Sequence, residues 1–159
     1  MSDLTVEAIL AGARRIVAEA PLGWLITSGT DAQVHARVMQ PFPVGDDLVL
    51  WFGTSPSSRK VADVAATGHG TAGFSSADGA GYVTATGPVE MITDPATLHR
   101  LWREDWDRFF PGGPETGYVV LKLSPRRIEV LDFAHGIAPP PFGAVAAAVE
   151  WRGTEWGLP

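Results

Sequence analysis

The sequence has no cysteine among its 159 residues. This absence excludes disulfide bridges, thiolate metal sites, iron–sulfur clusters and a thiol nucleophile. The chain also lacks any apolar run near the roughly 20 residues that span a bilayer, and its first residues, MSDLTVEAIL, lack the cationic patch of a secretory signal. Together these absences predict a cytoplasmic protein with no membrane partner.

Basic residues are fewer than acidic ones: the chain has 12 Lys and Arg and 18 Asp and Glu, for a formal net charge of −6. Nucleic acids bind broad cationic surfaces, so no nucleic-acid partner is expected. Any anion must therefore be bound by a local cluster of donors. The four histidines, at positions 35, 69, 99 and 135, are far apart and show no metal-ligand spacing, so we expect no metal site.

Sequence signatures of several enzyme classes are missing or misplaced. The chain has no GxxxxGK[ST] loop and no GxSxG elbow, which excludes P-loop nucleotide hydrolases and esterases of the usual kind. The segment GHGTAG at 68–73 spells GxGxxG, but it follows a predicted helix and precedes a predicted strand. Dinucleotide sites need the opposite order, so this glycine pattern carries no function.

Hydrophobic periodicity predicts a single domain with a mainly β structure. Helices are predicted at 2–20, with Ser2 or Asp3 as the cap, at 55–68, capped by Ser55, and at 93–110, capped by Asp94. Strands are predicted at 22–29, 33–42, 48–53, 70–76, 81–92, 117–125 and 126–133. Most consecutive strands are joined by turns too short for parallel crossovers, which favours a small barrel of six or seven mostly antiparallel strands with flanking α-helices. Residues 136–159 form a tail without an assigned structure.

The strand at 33–42 has two distinct faces. One carries Val34, Ala36 and Val38, which we expect to be buried, and the other carries His35, Arg37 and Met39. Arg37 would then lie on the face of the strand opposite to the buried one.

The segment TSPSSRK at 54–60 follows the apolar run LVLWFG and has the composition of a phosphate site. A helix begins with unpaired N–H groups and a positive dipole end, which stabilise a phosphate. With Ser55 as the cap, the free amides would be those of Ser57, Ser58 and Arg59. Further donors would come from the hydroxyls of Thr54 and Ser58 and from the cations Arg59, Lys60 and Arg37. The alternative interpretation is an ordinary helix start with two solvated cations.

Four separated segments resemble, in the same order, the pyridoxamine 5′-phosphate oxidase-like family of FMN-binding split barrels. They are RVMQ at 37–40, WFGT at 51–54, SSRK at 57–60 and YVTATGPVE at 82–90. The resemblance covers about 5–133, and the stretch from 102 to 130 is similar to the general stress protein branch of the family. It implies a split β-barrel, a homodimer with FMN at the subunit interface, and flavin-dependent oxidoreductase activity on a small-molecule electron donor or substrate.

The resemblance also implies which residues bind the cofactor. Arg37 would open the strand whose backbone borders the flavin ring, and Thr54, Ser58 and Lys60 would hold the phosphate. The full implied set is Arg37, Val38, Met39, Gln40, Phe52, Gly53, Thr54, Ser58, Arg59, Lys60 and Tyr82. No side chain stands out as a catalytic acid, base or nucleophile, which suits a reaction whose chemistry the cofactor supplies.

The sequence departs from the family pattern in three places. Residues 136–150 contain no Arg or His, where oxidases of pyridoxamine phosphate carry a substrate-binding Arg-Leu-His-Asp-Arg-like segment, so that substrate is not expected. Tyr82 stands in place of a glutamine, and Phe42 in place of a lysine. A non-catalytic flavin-binding stress or carrier protein, and a relative that uses deazaflavin or haem, stay open as alternatives.

Overall fold

The computed structural model describes residues 4–159, so Ser2 and Asp3, the predicted helix caps, lie outside the described residues. The described part of the chain contains four α-helices: α1 (Val6–Glu19), α2 (Arg59–Thr67), α3 (Pro95–Leu101) and α4 (Gly113–Thr116). The same residues contain nine strands: β1 (Gly23–Ser28), β2 (Val34–Met39), β3 (Leu50–Thr54), β4 (His69–Ser75), β5 (Gly81–Ile92), β6 (Val119–Leu123), β7 (Arg127–Asp132), β8 (Ala147–Trp151) and β9 (Trp156–Gly157). No helix within residues 4–159 combines the length and hydropathy needed to cross a membrane.

The strands form one antiparallel sheet that divides along the long strand β5. The main path runs β2-β1-β4-β5-β7-β8-β9, while β3 pairs with β6 and β6 pairs with β5. Residues 81–86 of β5 pair with β7, and residues 89–92 of the same strand pair with β6. The sheet is therefore a split β-barrel rather than a closed one, which confirms the predicted fold class. It has nine strands rather than six or seven because the unassigned tail supplies β8 and β9.

Gly87 lies where β5 changes partner. A Cβ atom at this position would collide with the carbonyl oxygen of Ser124 and crowd the backbone of Pro125 and Arg126. Only glycine allows the link between β6 and β7 to cross β5 so closely.

The main hydrophobic core lies between α1 and the sheet. Helix α1 buries the face formed by Ile9, Leu10, Ala13, Ile16 and Val17, as its periodicity predicts. The sheet contributes fully buried side chains from most of its strands, among them Leu25, Phe52, Val83, Leu121, Ile128 and Val130. Strands β1 and β3 contribute side chains to this core, and β2 is held in place by its pairing with β1.

The predicted helix at 93–110 is wrong beyond Leu101. Asp94 caps α3 as predicted, accepting a hydrogen bond from the amide of Thr97 at 3.0 Å. Trp102 then takes an extended conformation (φ −61°, ψ 139°), and a short 3-10 helix follows at Glu104–Trp106. The helix breaks because tertiary packing of its aromatic side chains overrides local helix propensity.

Those side chains form a second, aromatic cluster around Tyr118. The rings of Trp102, Trp106 and Phe110 have centroids 5.1, 5.9 and 5.7 Å from the Tyr118 ring. Aromatic pairs at such distances stabilise a core beyond the area that they bury. Trp102 and Trp106 therefore pack in a core.

The cap of α1 yields a stability prediction. Thr5 is the N-cap, and its Oγ1 accepts a hydrogen bond from the amide of Ala8 at 3.2 Å. Replacing Thr5 by alanine should lower the free energy of unfolding by about 1 kcal/mol, because the amide loses its partner. Urea denaturation measures this change, and Thr5→Ser, which keeps the hydroxyl, is the matched control. Equal stability of the two variants would show that the cap contributes nothing.

Candidate anion-binding site

Helix α2 begins three residues later than predicted, at Arg59, with Ser58 as its N-cap. Ser55 instead supports a turn, since its carbonyl accepts from the amide of Ser58 at 3.1 Å and its hydroxyl lies 3.0 Å from that of Ser57. The hydroxyl of Ser55 is thus engaged with Ser57 and does not cap the helix.

The change of cap also changes which amides are free. The amide of Val61 is bonded to the carbonyl of Ser58 at 3.1 Å, whereas the amides of Arg59 and Lys60 have no acceptor within the described part of the chain. The free amides are therefore those of Arg59 and Lys60, rather than of Ser57, Ser58 and Arg59. The side chain of Ser58 makes no capping bond, which leaves its hydroxyl available.

Thr54 and Lys60 meet at the start of this helix. Thr54 is the last residue of β3, its side chain is buried, and its Oγ1 accepts a hydrogen bond from the Lys60 ammonium at 2.9 Å. The Ser58 hydroxyl lies 3.4 Å from the same oxygen. One ammonium, two hydroxyls and two free amides therefore lie within residues 54–60, where β3 ends and α2 begins.

Arg37 reaches the same region from β2. Its NH1 donates to the carbonyl of Leu25 at 3.1 Å and to the Thr27 hydroxyl at 2.7 Å. Leu25 is its register partner on β1, so these bonds follow directly from the strand pairing. Arg37 lies on the side of β2 that faces α2, where its side chain is only 18% exposed.

The faces of β2 are the reverse of the predicted ones. Val34 is 69% exposed and Val38 46% exposed, whereas His35, Arg37 and Met39 are partly buried. The reason is that α2 packs on the side of the sheet that carries Arg37 and His35. The apolar side chains of β2 are left on the outer surface of the sheet.

The electrostatics of the cluster favour an anion. Burial lowers the pKa of Arg37, the charge of Asp63 raises it, and the charge of Arg59 lowers it further. Burial also lowers the pKa of Lys60, as does the positive charge of Arg37. Arg37 thus lies close enough to both Arg59 and Lys60 for their like charges to repel, with the Asp63 carboxylate opposing them, and a doubly charged phosphate would relieve that repulsion.

Asp63 is the site residue that sequence reasoning missed. It lies on α2, is buried, and its Oδ2 lies 2.7 Å from the Thr27 hydroxyl and 2.8 Å from Nδ1 of His35. Burial on its own would raise the pKa of Asp63, but the hydrogen bonds from His35 and Thr27 and the charges of His35 and Arg37 hold it below its ordinary value. The sequence feature that could have indicated this residue is its position: an acidic residue lies between Val61 and Val64, the buried apolar residues of this helix.

Several predicted residues lie outside this cluster. The side chain of Phe52 is buried in the main core, and Gly53 is packed against Trp106, whose ring would lie 2.7 Å from a Cβ at that position. Val38 and Tyr82 lie on the outer surface of the sheet, opposite to Arg37. Met39 packs on the core, and Gln40 borders a cleft of about 380 Å³ between α1 and residues 41–44. The structure therefore brings together Arg37, Thr54, Ser58, Arg59 and Lys60 of the predicted set.

Comparison with known proteins identifies relatives of this chain. The sequence model of the family described as "Pyridoxamine 5′-phosphate oxidase like" matches residues 11–151. General stress protein 26 from Bacillus anthracis superimposes with a TM-score of 0.65 at 22% identity, covering 77% of this chain and 92% of that one. No curated protein matches the sequence significantly.

Two further solved structures have different ligands in their names. A pyridoxamine 5′-phosphate oxidase-related, FMN-binding protein from Nostoc punctiforme superimposes with a TM-score of 0.63 at 15% identity, covering 98% of this chain and 96% of that one. A haem-binding protein from Mycobacterium smegmatis superimposes with a TM-score of 0.64 at 16% identity, covering 84% of this chain and 57% of that one. At these identities the likeness shows a shared fold.

Proposed function

This chain belongs to the pyridoxamine 5′-phosphate oxidase-like family, and on that premise we propose that it binds FMN and acts as a flavin-dependent oxidoreductase. The observation that carries the proposal is the cluster of donors at the start of α2, where Lys60 donates to Thr54, the Ser58 hydroxyl lies beside them and two amides are free. Arg37 is near enough for its positive charge to lower the pKa of Lys60.

The donor set fits a phosphate monoester. Two free amides and two hydroxyls offer short hydrogen bonds, and an ammonium and two guanidinium groups offer charge. Charge-assisted bonds of this kind are about twice as strong as neutral ones. Riboflavin has no group for this site, so the donors favour the phosphorylated flavin.

Each part of the site would have a separate task. Lys60, Thr54, Ser58 and the amides would hold the phosphate, Arg37 would clamp it, and the backbone of residues 38–40 would run beside the flavin ring. Bound FMN would supply hydride and electron transfer. The protein would contribute position and a fixed electrostatic environment.

We further propose that the protein is a homodimer with the flavin between its subunits. The outer surface of the sheet exposes large apolar side chains: Trp24 is 53%, Val34 69% and Val38 46% exposed. Contiguous apolar surface of this kind marks an interface. Tyr82 and Val38, two residues of the predicted flavin site, lie on this same outer surface, so a second copy packed there would cover both.

The visible spectrum of the purified protein tests the cofactor. We expect a flavin absorbance pair, release of FMN on heating, and identification of the released compound as FMN by mass. A haem spectrum or the mass of a deazaflavin would contradict the proposal.

Turnover needs a second measurement on the flavin-loaded protein. With NAD(P)H we expect the flavin absorbance to bleach, then to recover in air, faster than free FMN does. Bound FMN that no donor reduces faster than free flavin would instead identify a non-catalytic flavin carrier.

A further inference from the structure

We propose that Thr27 and Asp63 are positioning residues that hold the Arg37 guanidinium toward the anion site, and thereby set the preference of this site for a phosphorylated flavin. This inference rests on the proposed function, since it concerns how the same site recognises phosphate.

Thr27 is the direct support of Arg37. Its side chain is buried, and its hydroxyl accepts a hydrogen bond from NH1 of Arg37 at 2.7 Å while lying 2.7 Å from Oδ2 of Asp63. A hydroxyl has one proton, and a carboxylate can only accept, so the Thr27 proton points to Asp63. Its lone pairs are then free to receive Arg37.

Asp63 fixes the direction in which the Thr27 hydroxyl points its proton. Its Oδ2 accepts from both Thr27 and Nδ1 of His35, and it lies 3.8 Å from NH2 of Arg37. His35 and Arg37 are alternate residues of β2 on one face, and Thr27 is the register partner of His35 on β1. One buried carboxylate therefore ties β1, β2 and α2 together beneath Arg37.

This arrangement uses NH1 of the guanidinium for hydrogen bonds and leaves the donors on Nε and NH2 for an anion, although NH2 also lies 3.8 Å from the Asp63 carboxylate. NH1 donates to Leu25 and Thr27, whereas Nε and NH2 donate no hydrogen bond to any residue within 4–159. The Arg37 side chain is also restrained before an anion arrives, so binding costs less ordering of a long side chain. Asp63 lies on the helix whose first amides are free, so the same helix aligns Arg37 and offers the other donors.

The test compares FMN with riboflavin, which differ only in the phosphate. Dissociation constants of the full chain for both compounds are measured by calorimetry for the wild type and for Thr27→Val, which removes the hydroxyl and keeps the shape. We expect Thr27→Val to weaken FMN binding roughly 10-fold, as for the loss of one hydrogen bond to a charged group, and to change riboflavin binding less than twofold. Thr27→Ser, which restores the hydroxyl, should keep the FMN constant within twofold of the wild type.

A second pair of variants separates geometry from charge. Asp63→Asn keeps an oxygen that accepts from Thr27 and should preserve the preference for FMN, whereas Asp63→Ala should lose it. If Thr27→Val keeps the FMN-to-riboflavin ratio, or weakens both compounds equally, the positioning role is wrong. A wild type that binds riboflavin as tightly as FMN would overturn the proposed phosphate site itself, which distinguishes the two failures.

Discussion

Arg37→Ala should weaken FMN binding by about 1.5–3 kcal/mol, or roughly 10- to 150-fold, the loss expected for a charge-assisted contact. The guanidinium is partly buried and already restrained by Leu25 and Thr27, so alanine removes an ordered cation rather than a mobile surface charge. Lys60→Ala should have an effect of similar size, because the Lys60 ammonium is held near the start of α2 by its hydrogen bond to Thr54, at the end of β3. Fluorescence titration of the full chain with FMN measures both.

Two controls isolate the phosphate contact. Arg126→Ala removes an exposed cation from the link between β6 and β7 and should leave the FMN constant unchanged. Riboflavin affinity should respond much less than FMN affinity in both site variants. If Arg37→Ala and Lys60→Ala both leave the FMN dissociation constant within twofold, the phosphate does not bind at this site.

Trp24→Glu should convert the protein from a dimer to a monomer. Trp24 pairs with Val38 on the outer surface of the sheet and is half exposed in the single chain. Tryptophans at the centre of interfaces commonly contribute 2 kcal/mol or more, and a carboxylate buried there adds a desolvation cost, so the dimer should weaken by at least about 30-fold. Light scattering after size-exclusion chromatography measures the change in mass.

The matched control for the dimer is Phe109→Glu. Phe109 is similarly exposed, at 59%, but lies in the loop after the 3-10 helix rather than on the sheet surface. This variant should stay dimeric. A wild type that is monomeric at all concentrations, or a Trp24→Glu variant that remains a dimer, would refute the proposed interface.

Much of the candidate site could be predicted from the sequence because its residues are close along the chain. Thr54, Ser58 and Lys60 fall within seven positions, and the turn and helix that follow β3 bring them together by local geometry alone. The end of α2 at Gly68, which takes a left-handed conformation (φ 67°), was predicted for the same reason.

What could not be predicted depends on tertiary packing. The exposed face of β2 was assigned wrongly because alternation shows that two faces differ, but not which face α2 covers. The helix at 93–110 breaks after Leu101 because the aromatic rings converge on Tyr118, a residue beyond the end of the predicted helix. Asp63 was missed because its partners Thr27 and His35 lie about 30 positions earlier in the chain.

A crystal structure of the protein grown with FMN tests the central claim most directly. The account predicts that the phosphate lies within hydrogen-bonding distance of the Lys60 ammonium and of the free amides of Arg59 and Lys60, with Arg37 alongside. Phosphate density away from residues 54–60, or FMN bound with its phosphate in solvent, would contradict it.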